Sequence, residues 1–208
     1  MTSTQTSSHP SASALFVIDV QNDFTEGGAL AVAGGAAVAT GISELLASHG
    51  HEYDHVFASR DWHDAVNDNG GHFASDREPD FVDTWPVHCV ADTPGARYHP
   101  DLRLPESTVH VRKGQGKPAY SIFEGTTLAG EPFPEALDRL GVTTVDVVGI
   151  AIDHCVLASA LDAERSGRTV RVLTDLTAGV AHETTATALA RLRLHGVALA
   201  STHDGLSA

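Results

Sequence analysis

The stretch TVDVVGIAIDHCVLASALDAERSGRTVRVLTD, residues 144–175, contains the pattern that decides the fold. It begins with a β-branched apolar run (144–151), continues through DHCVLASALDAERSG, and returns to a second apolar run (169–175). The middle segment has the composition of a helix that ends near Gly167, a residue suited to the left-handed position after a helix. A strand, a helix and a second strand in this order predict a right-handed crossover between two parallel strands.

The same alternation of strands and helices extends along the rest of the chain. Four further apolar runs predict strands: ALFVIDV (14–20), DHVFASRD (54–61), VHVRK (109–113) and VALAST (197–202). Three further segments predict helices: AAVATGISELLASHG, EPFPEALDRLG and HETTATALARLRLHG. Together they predict an α/β fold with a mainly parallel, doubly wound sheet covered by helices on both faces. The stretches 60–108 and 113–130 are too long for simple connections, which indicates functional loops.

Composition favours one domain and opposes nucleic-acid or membrane partners. A chain of 208 residues with 42% hydrophobic content suits one domain over 14–208, after a small polar tail over 1–13 that we expect to be disordered. The formal charge is −14, whereas a phosphate backbone or an anionic membrane requires a basic surface. The first residues lack the features of a signal or transit peptide, and no apolar run approaches the roughly 20 residues of a membrane helix. We therefore expect a cytoplasmic protein, either a monomer or a homo-oligomer.

Four reactive side chains fall at the carboxyl ends of the predicted strands. Asp19 ends the first strand, Asp61 the second and Lys113 the third, and Cys155 follows the fourth. Each has a structural interpretation when taken singly: a loop brace, a solvated side chain, or, for the cysteine, a small buried apolar residue. Because the carboxyl ends of parallel strands share one edge, where such sheets carry their sites, their coincidence favours a catalytic cluster.

The three residue types Cys, Asp and Lys can together support nucleophilic hydrolysis. A thiolate is favoured at a helix N-terminus beside a cation, which fits Cys155 near Lys113. Asp19 can accept the thiol proton and later return it to a leaving amine. The backbone N–H of Cys155, with a second N–H from the preceding turn, can stabilise an oxyanion. With only two cysteines in an intracellular chain, Cys155 is expected to be a free thiol.

A second cluster is predicted in the long loop. RDWHDAVNDNGGHFA contains Asp61, His63 and His72, and TWPVHCV adds His88. The Asp-x-His spacing places the first two side chains on the same side of an extended strand end. Three imidazoles and one carboxylate suit one divalent ion of the borderline group, Zn²⁺, Fe²⁺ or Mn²⁺, better than Ca²⁺ or Mg²⁺. Nine other histidines are interpreted as solvated surface residues: His9, His49, His51, His55, His99, His110, His182, His195 and His203.

Six motifs occur in one order between about residues 14 and 200: DVQNDFTEGGALAVAGG, SRDWH, TWPVHCVADTPGA, KGQGKPAYSIFEG, VVGIAIDHCV and LTDLTAGV. Together they resemble the nicotinamidase and pyrazinamidase branch of the isochorismatase-like cysteine hydrolases. The resemblance implies a Rossmann-like six-stranded parallel sheet with a divalent metal beside the nucleophile. It also implies the hydrolysis of nicotinamide to nicotinic acid and ammonia through a cysteine thioester, a reaction of NAD salvage, with pyrazinamide as a related substrate.

The resemblance also implies residue roles. Asp19 is similar to the family's base, Lys113 to its third triad member and Cys155 to its nucleophile. Ile150–Ala151 is similar to its cis peptide bond, which would direct the Ala151 N–H toward the oxyanion beside that of Cys155. The implied metal ligands are Asp61, His63, His72 and His88, and the implied pyridine pocket contains Phe24, Trp85 and Tyr120.

Three alternatives stay open from the sequence. The loop between His63 and His72 is longer than the family pattern, so Asp68 competes with His72 as a ligand. A metal-free relative acting on another amide or an enol ether would not need the four ligands together. A non-catalytic α/β binding module would not need the intact Asp, Lys and Cys set.

Overall fold

The apolar runs of the sequence form a single sheet in the structure, a computed structural model that describes residues 11–204. The strands are β1 (Ala12–Ile18), β2 (His55–Asp61), β3 (Val109–Lys113), β4 (Thr126–Thr127), β5 (Val142–Ile150), β6 (Thr169–Ala178) and β7 (Ala198–Ala200). The α-helices are α1 (Gly35–His49), α2 (Phe133–Arg139), α3 (Cys155–Arg165) and α4 (His182–Leu194). The α/β fold is thereby confirmed.

The sheet has the strand order β4-β3-β2-β1-β5-β6-β7. All neighbouring strands are parallel except β4, which is antiparallel to β3. The six predicted parallel strands are therefore confirmed, and the structure adds one antiparallel edge strand, β4, whose two residues are too few to leave a periodic pattern. The chain moves outward from β1 to β4 at the edge and then crosses to β5 on the other side of β1. In such sheets the crevice at this reversal, beside the carboxyl ends of β1 and β5, is the usual location of a site.

The central strands are buried on both faces, which explains their continuous apolar sequences. On one face, Phe16 of β1 packs edge to face against Phe57 and Phe133, with ring centroids 5.7 and 5.2 Å away. On the other face, Leu15 and Val17 pack with residues of α1. This packing on both faces fixes the strand ends that carry the reactive side chains.

The end of β5 lies unusually close to the end of β1. Gly149 pairs with Ile18 at φ 118°, and an added Cβ would lie 2.1 Å from the Ile18 carbonyl oxygen. Only glycine permits this approach. The segments that follow, with Asp19 after β1 and Cys155 after β5, are thereby brought together.

The start of the domain differs slightly from the predicted boundary. Residues 1–10, most of the predicted tail, lie outside the described residues, as do 205–208. Ala12 and Ser13 belong to β1 rather than to a tail, and the Ser13 N–H and hydroxyl both donate to the Asp54 carboxylate. Within residues 11–204, none of the helices combines the length and apolar character needed to span a bilayer.

Candidate active site

The four strand-end residues predicted from the sequence meet at one edge of the sheet. Lys113 is fully buried, and its Nζ lies 2.9 Å from Asp19 Oδ2 and 3.7 Å from Cys155 Sγ. The same ammonium contacts Asp61 Oδ1. Cys155 is the first residue of α3, and Asp19 follows β1 in a left-handed conformation with φ 48°.

Lys113 is the fixed positive charge of this cluster. Burial alone lowers its pKa, but the carboxylates of Asp19 and Asp61 raise it more, so its pKa lies well above the usual value. For Asp61, burial raises the pKa, but Lys113 and His63 more than offset this, and the net pKa is lowered. The pair is therefore an ammonium and a carboxylate.

Asp19 differs from Asp61 because burial dominates its pKa. Burial raises the pKa of Asp19, and Lys113 lowers it only in part. Ser59 donates a hydrogen bond to Oδ1 at 2.7 Å, and Oδ2 lies 2.9 Å from the Lys113 ammonium. The raised pKa makes this carboxylate a better proton acceptor than an ordinary aspartate.

Burial opposes the Cys155 thiolate that its helix position and the Lys113 ammonium favour. Burial raises its pKa well above the usual value, the ammonium of Lys113 lowers it less, and Asp19 and Asp61 raise it further. The sequence places the cation correctly but does not show the depth of burial. The nucleophile therefore needs an acceptor for its proton, and Asp19 is the adjacent one.

Two backbone N–H groups beside Cys155 are free to bind an oxyanion. The Ile150–Ala151 peptide bond is cis, as the resemblance implies. The Ala151 carbonyl accepts from the N–H groups of His154 and Val156, at 3.0 and 3.1 Å. Among the described residues, no acceptor contacts the N–H of Ala151 or of Cys155.

The long loop brings three histidines to the same edge. One ring nitrogen each of His63, His72 and His88 lies within 4.8 Å of the other two. Asp61 Oδ2 lies 3.7 and 3.9 Å from Nε2 of His63 and His88. Asp61 therefore contacts Lys113 with one oxygen and faces the histidines with the other.

The hydrogen bonds of the histidines suit a metal ion. Nδ1–H of His63 donates to the Gly114 carbonyl at 2.8 Å, and that of His88 to the Pro86 carbonyl at 2.7 Å. These bonds fix the tautomer that leaves each Nε2 lone pair directed at the cluster. Nε2 of His63 is buried without a hydrogen-bond partner, which is the expected state of a ligand atom. Three imidazoles and a carboxylate fit a divalent ion of the Zn²⁺, Fe²⁺ or Mn²⁺ type.

The structure places His72, and not Asp68, in this cluster. The rings of His72 and His63 lie 4.7 Å apart, and Nε2 of His72 lies 3.4 Å from Nε2 of His88. Burial, followed by the charges of the other two histidines, lowers the pKa of His72 to about 3, so its ring is neutral. Asp68 is exposed and accepts a hydrogen bond from Gly70. The described histidines interpreted as solvated do not join the cluster, and His9 lies outside the described residues.

A cavity of about 280 Å³ connects the two clusters. Its wall includes Cys155 and Ala151 on one side and His72 on the other. The three aromatic residues predicted for the pocket, Phe24, Trp85 and Tyr120, all line it. Trp85 Nε1–H donates to the Tyr120 hydroxyl at 2.9 Å, which fixes the two rings relative to each other.

Sequence reasoning missed two residues of this site. His154 lines the cavity with its ring 5.1 Å from Trp85, and its position directly before Cys155 was the available signal. Gln21 holds Asp61 through both backbone groups: its Nε2 donates to the carbonyl at 2.9 Å and its Oε1 accepts from the N–H at 2.8 Å. Its signal was a buried amide in the loop after Asp19.

Comparison with known proteins agrees with the fold and the motifs. Residues 13–204 match the family model described as the isochorismatase domain. The nicotinamidase/pyrazinamidase of Mycobacterium tuberculosis is 50% identical over 186 residues, which cover 89% of this chain and 97% of that protein. A solved structure from L. infantum in complex with nicotinate has a TM-score of 0.79 and 31% identity, covering 93% of this chain and 94% of that one. The pyrazinamidase of Pyrococcus horikoshii in complex with zinc has a TM-score of 0.78 and 34% identity, covering 91% and 99%.

Proposed function

The chain belongs to the isochorismatase domain family, and we propose that it hydrolyses nicotinamide to nicotinic acid and ammonia through a thioester on Cys155. The observation that carries the proposal is the contact of Lys113 with both Asp19 and Cys155, together with the position of Cys155 at the wall of a cavity lined by aromatic side chains. The 50% identity with a nicotinamidase/pyrazinamidase and the nicotinate complex of a structural relative support a pyridine carboxamide as the substrate.

Asp19 moves the proton in both halves of the reaction. Sγ of Cys155 attacks the carboxamide carbon while the thiol proton passes to the Asp19 carboxylate, and Lys113 stabilises the sulfur as negative charge develops. The carbonyl oxygen becomes an oxyanion that accepts hydrogen bonds from the N–H groups of Ala151 and Cys155. The C–N bond then breaks, Asp19 returns the proton to the nitrogen, and ammonia leaves a thioester.

Water completes the cycle at the same atoms. Asp19 takes a proton from a water molecule that attacks the thioester carbon. The C–S bond breaks, nicotinic acid is released, and Cys155 recovers its proton. Phe24, Trp85 and Tyr120 hold the ring and keep bulk water from the thioester.

We assign one divalent ion to the second cluster, held by Asp61, His63, His72 and His88. The zinc complex of the related pyrazinamidase supports this assignment. When bound, the ion supplies a Lewis-acidic partner for the pyridine nitrogen, directly or through water, and so orients the carboxamide toward Cys155. Pyrazinamide differs from nicotinamide by one ring nitrogen in place of a C–H, a change that an aromatic pocket discriminates only weakly, and it is a second substrate.

Ammonia release from nicotinamide by the purified protein, loaded in turn with Zn²⁺, Fe²⁺ and Mn²⁺, tests the proposal. We expect ammonia and nicotinic acid in equal amounts from the wild type. Cys155→Ala should lose at least about 100-fold in kcat, roughly 2.7 kcal/mol of barrier. No release with any of the three ions would refute the substrate, and near wild-type turnover by Cys155→Ala would refute covalent catalysis.

A further inference from the structure

Asn69 is a fully buried polar residue in the exposed loop between His63 and His72. It has none of its surface exposed and takes a left-handed conformation with φ 51°. Its neighbour Val66 is 93% exposed, so little apolar packing holds this part of the loop. A buried amide is stable only if its donors and acceptor are bonded, and those of Asn69 are.

The Asn69 side chain binds the residue that follows His63. Oδ1 accepts from the Asp64 N–H at 2.8 Å, and Nδ2 donates to the Asp64 carbonyl at 3.0 Å and to the Asn67 carbonyl at 3.2 Å. The Asn69 carbonyl in turn accepts from the His72 N–H at 3.3 Å. One residue therefore bonds to the backbone beside His63 and to the backbone of His72.

Asn69 also joins this loop to the segment that follows β3. Oδ1 accepts a second hydrogen bond, from the Gly116 N–H at 3.1 Å. Two residues earlier, the Gly114 carbonyl accepts from Nδ1 of His63, and an added Cβ on Gly114 would lie 2.6 Å from the His63 ring. The same segment thus holds the His63 ring directly and the loop through Asn69.

We propose that Asn69 is a positioning residue that fixes the separation of His63 and His72 and thereby sets the affinity of the histidine cluster for its metal ion. The inference rests on the metal site of the proposed function but not on the identity of the amide substrate. Residues that orient metal ligands through hydrogen bonds typically contribute 10- to 100-fold to affinity. In this chain a loop residue has this role because the loop is long and its apolar residues between the two histidines, Ala65 and Val66, are exposed.

The test is the affinity of the purified protein for Zn²⁺, measured by competition with a chromophoric chelator. We expect Asn69→Ala to weaken binding by about 10- to 100-fold. Asn69→Gly should lose a similar amount, because glycine adopts a positive φ freely but lacks the amide. The matched control is Val66→Ala, in the same loop but exposed, which should bind Zn²⁺ as the wild type does.

Two results would overturn the inference: wild-type affinity in Asn69→Ala, or wild-type affinity in Asn69→Gly. If the thermal midpoint of the metal-free variants fell while their affinity stayed unchanged, Asn69 would be a purely structural residue. A wild-type protein that binds Zn²⁺ but does not hydrolyse nicotinamide would refute the proposed substrate, and the affinity contrast would still decide the role of Asn69.

Discussion

At the scale of single residues, burial controls the proton shared by Asp19 and Cys155. It raises the pKa of both the carboxyl and the thiol, and Lys113 lowers both only in part. Because the pKa of the carboxyl is raised as well as that of the thiol, the free energy of proton transfer from the thiol to the carboxylate is smaller than it would be with a carboxyl of ordinary pKa. In the proposed mechanism the thiolate is therefore generated during attack and is not present beforehand.

Asp19→Asn tests two roles of Asp19 with two measurements: its role as a base through kcat, and the effect of its charge through the pKa of Cys155. The amide keeps the shape but cannot accept the thiol proton, so we expect kcat for nicotinamide to fall by about 10²- to 10⁴-fold. Because Asp19 raises the pKa of Cys155, loss of its charge should move iodoacetamide labelling of the thiol to lower pH. The exposed Asp76→Asn is the control and should change neither result. An unchanged kcat in Asp19→Asn would assign the base to another group.

The sequence predicts which strand-end side chains meet, but it does not predict their environment. The end of a parallel strand is readable from apolar runs, so Asp19, Lys113 and Cys155 are found from the pattern alone. The protonation of Cys155 depends on how deeply loops from distant parts of the chain cover it, which no local pattern records. Asn69 and His154 likewise lie in irregular segments without periodicity.

At the scale of elements, the close approach of β1 and β5 determines whether the triad assembles. β6 also extends to Ala178, beyond the predicted end at residue 175, because its pairing with β5 resumes after a register shift before Gly149. A register shift of this kind cannot be predicted from the alternation of residues, whereas the long apolar strands can. The element types are therefore predictable and the irregularity at the site is not.

Gly149→Ala tests this approach. The new Cβ would meet the Ile18 carbonyl oxygen at 2.1 Å in a conformation with φ 118°, so we expect a loss of roughly 4 kcal/mol in the free energy of unfolding. Gly167→Ala is the matched control, since its φ of 86° is also positive but its Cβ would have no neighbour within 4 Å. It should lose only about 1–2 kcal/mol. Urea unfolding measures both, and equal losses would contradict the steric argument.

At the scale of the whole molecule, Asp61 couples two clusters that come from different parts of the chain. The triad residues Asp19, Lys113 and Cys155 belong to strand ends, and the histidines belong to the long loop. Asp61 contacts Lys113 with one oxygen and faces His63 and His88 with the other. An ion bound at the histidines would withdraw charge from this carboxylate, and Asp61 is one of the groups that raise the pKa of Cys155. The ion could therefore orient the substrate, activate the thiol, or do both.

We expect orientation to dominate, because Lys113 contacts both carboxylates and Sγ and so already supplies a positive charge beside the thiol. Removal of the ion by a chelator, or His63→Ala, should suppress nicotinamide hydrolysis while Cys155 still reacts with iodoacetamide over a similar pH range. Labelling is followed across pH by mass spectrometry. Cys155→Ala is the control that separates labelling of Cys155 from labelling of Cys89, whose pKa is also raised by burial.

If metal removal raised the apparent pKa of the Cys155 thiol by more than about one unit, or 1.4 kcal/mol, the ion would be stabilising the thiolate through Asp61. Catalysis would then depend on one electrostatic unit extending from the histidines to Cys155, and the assignment of orientation to the metal and activation to the triad would be wrong.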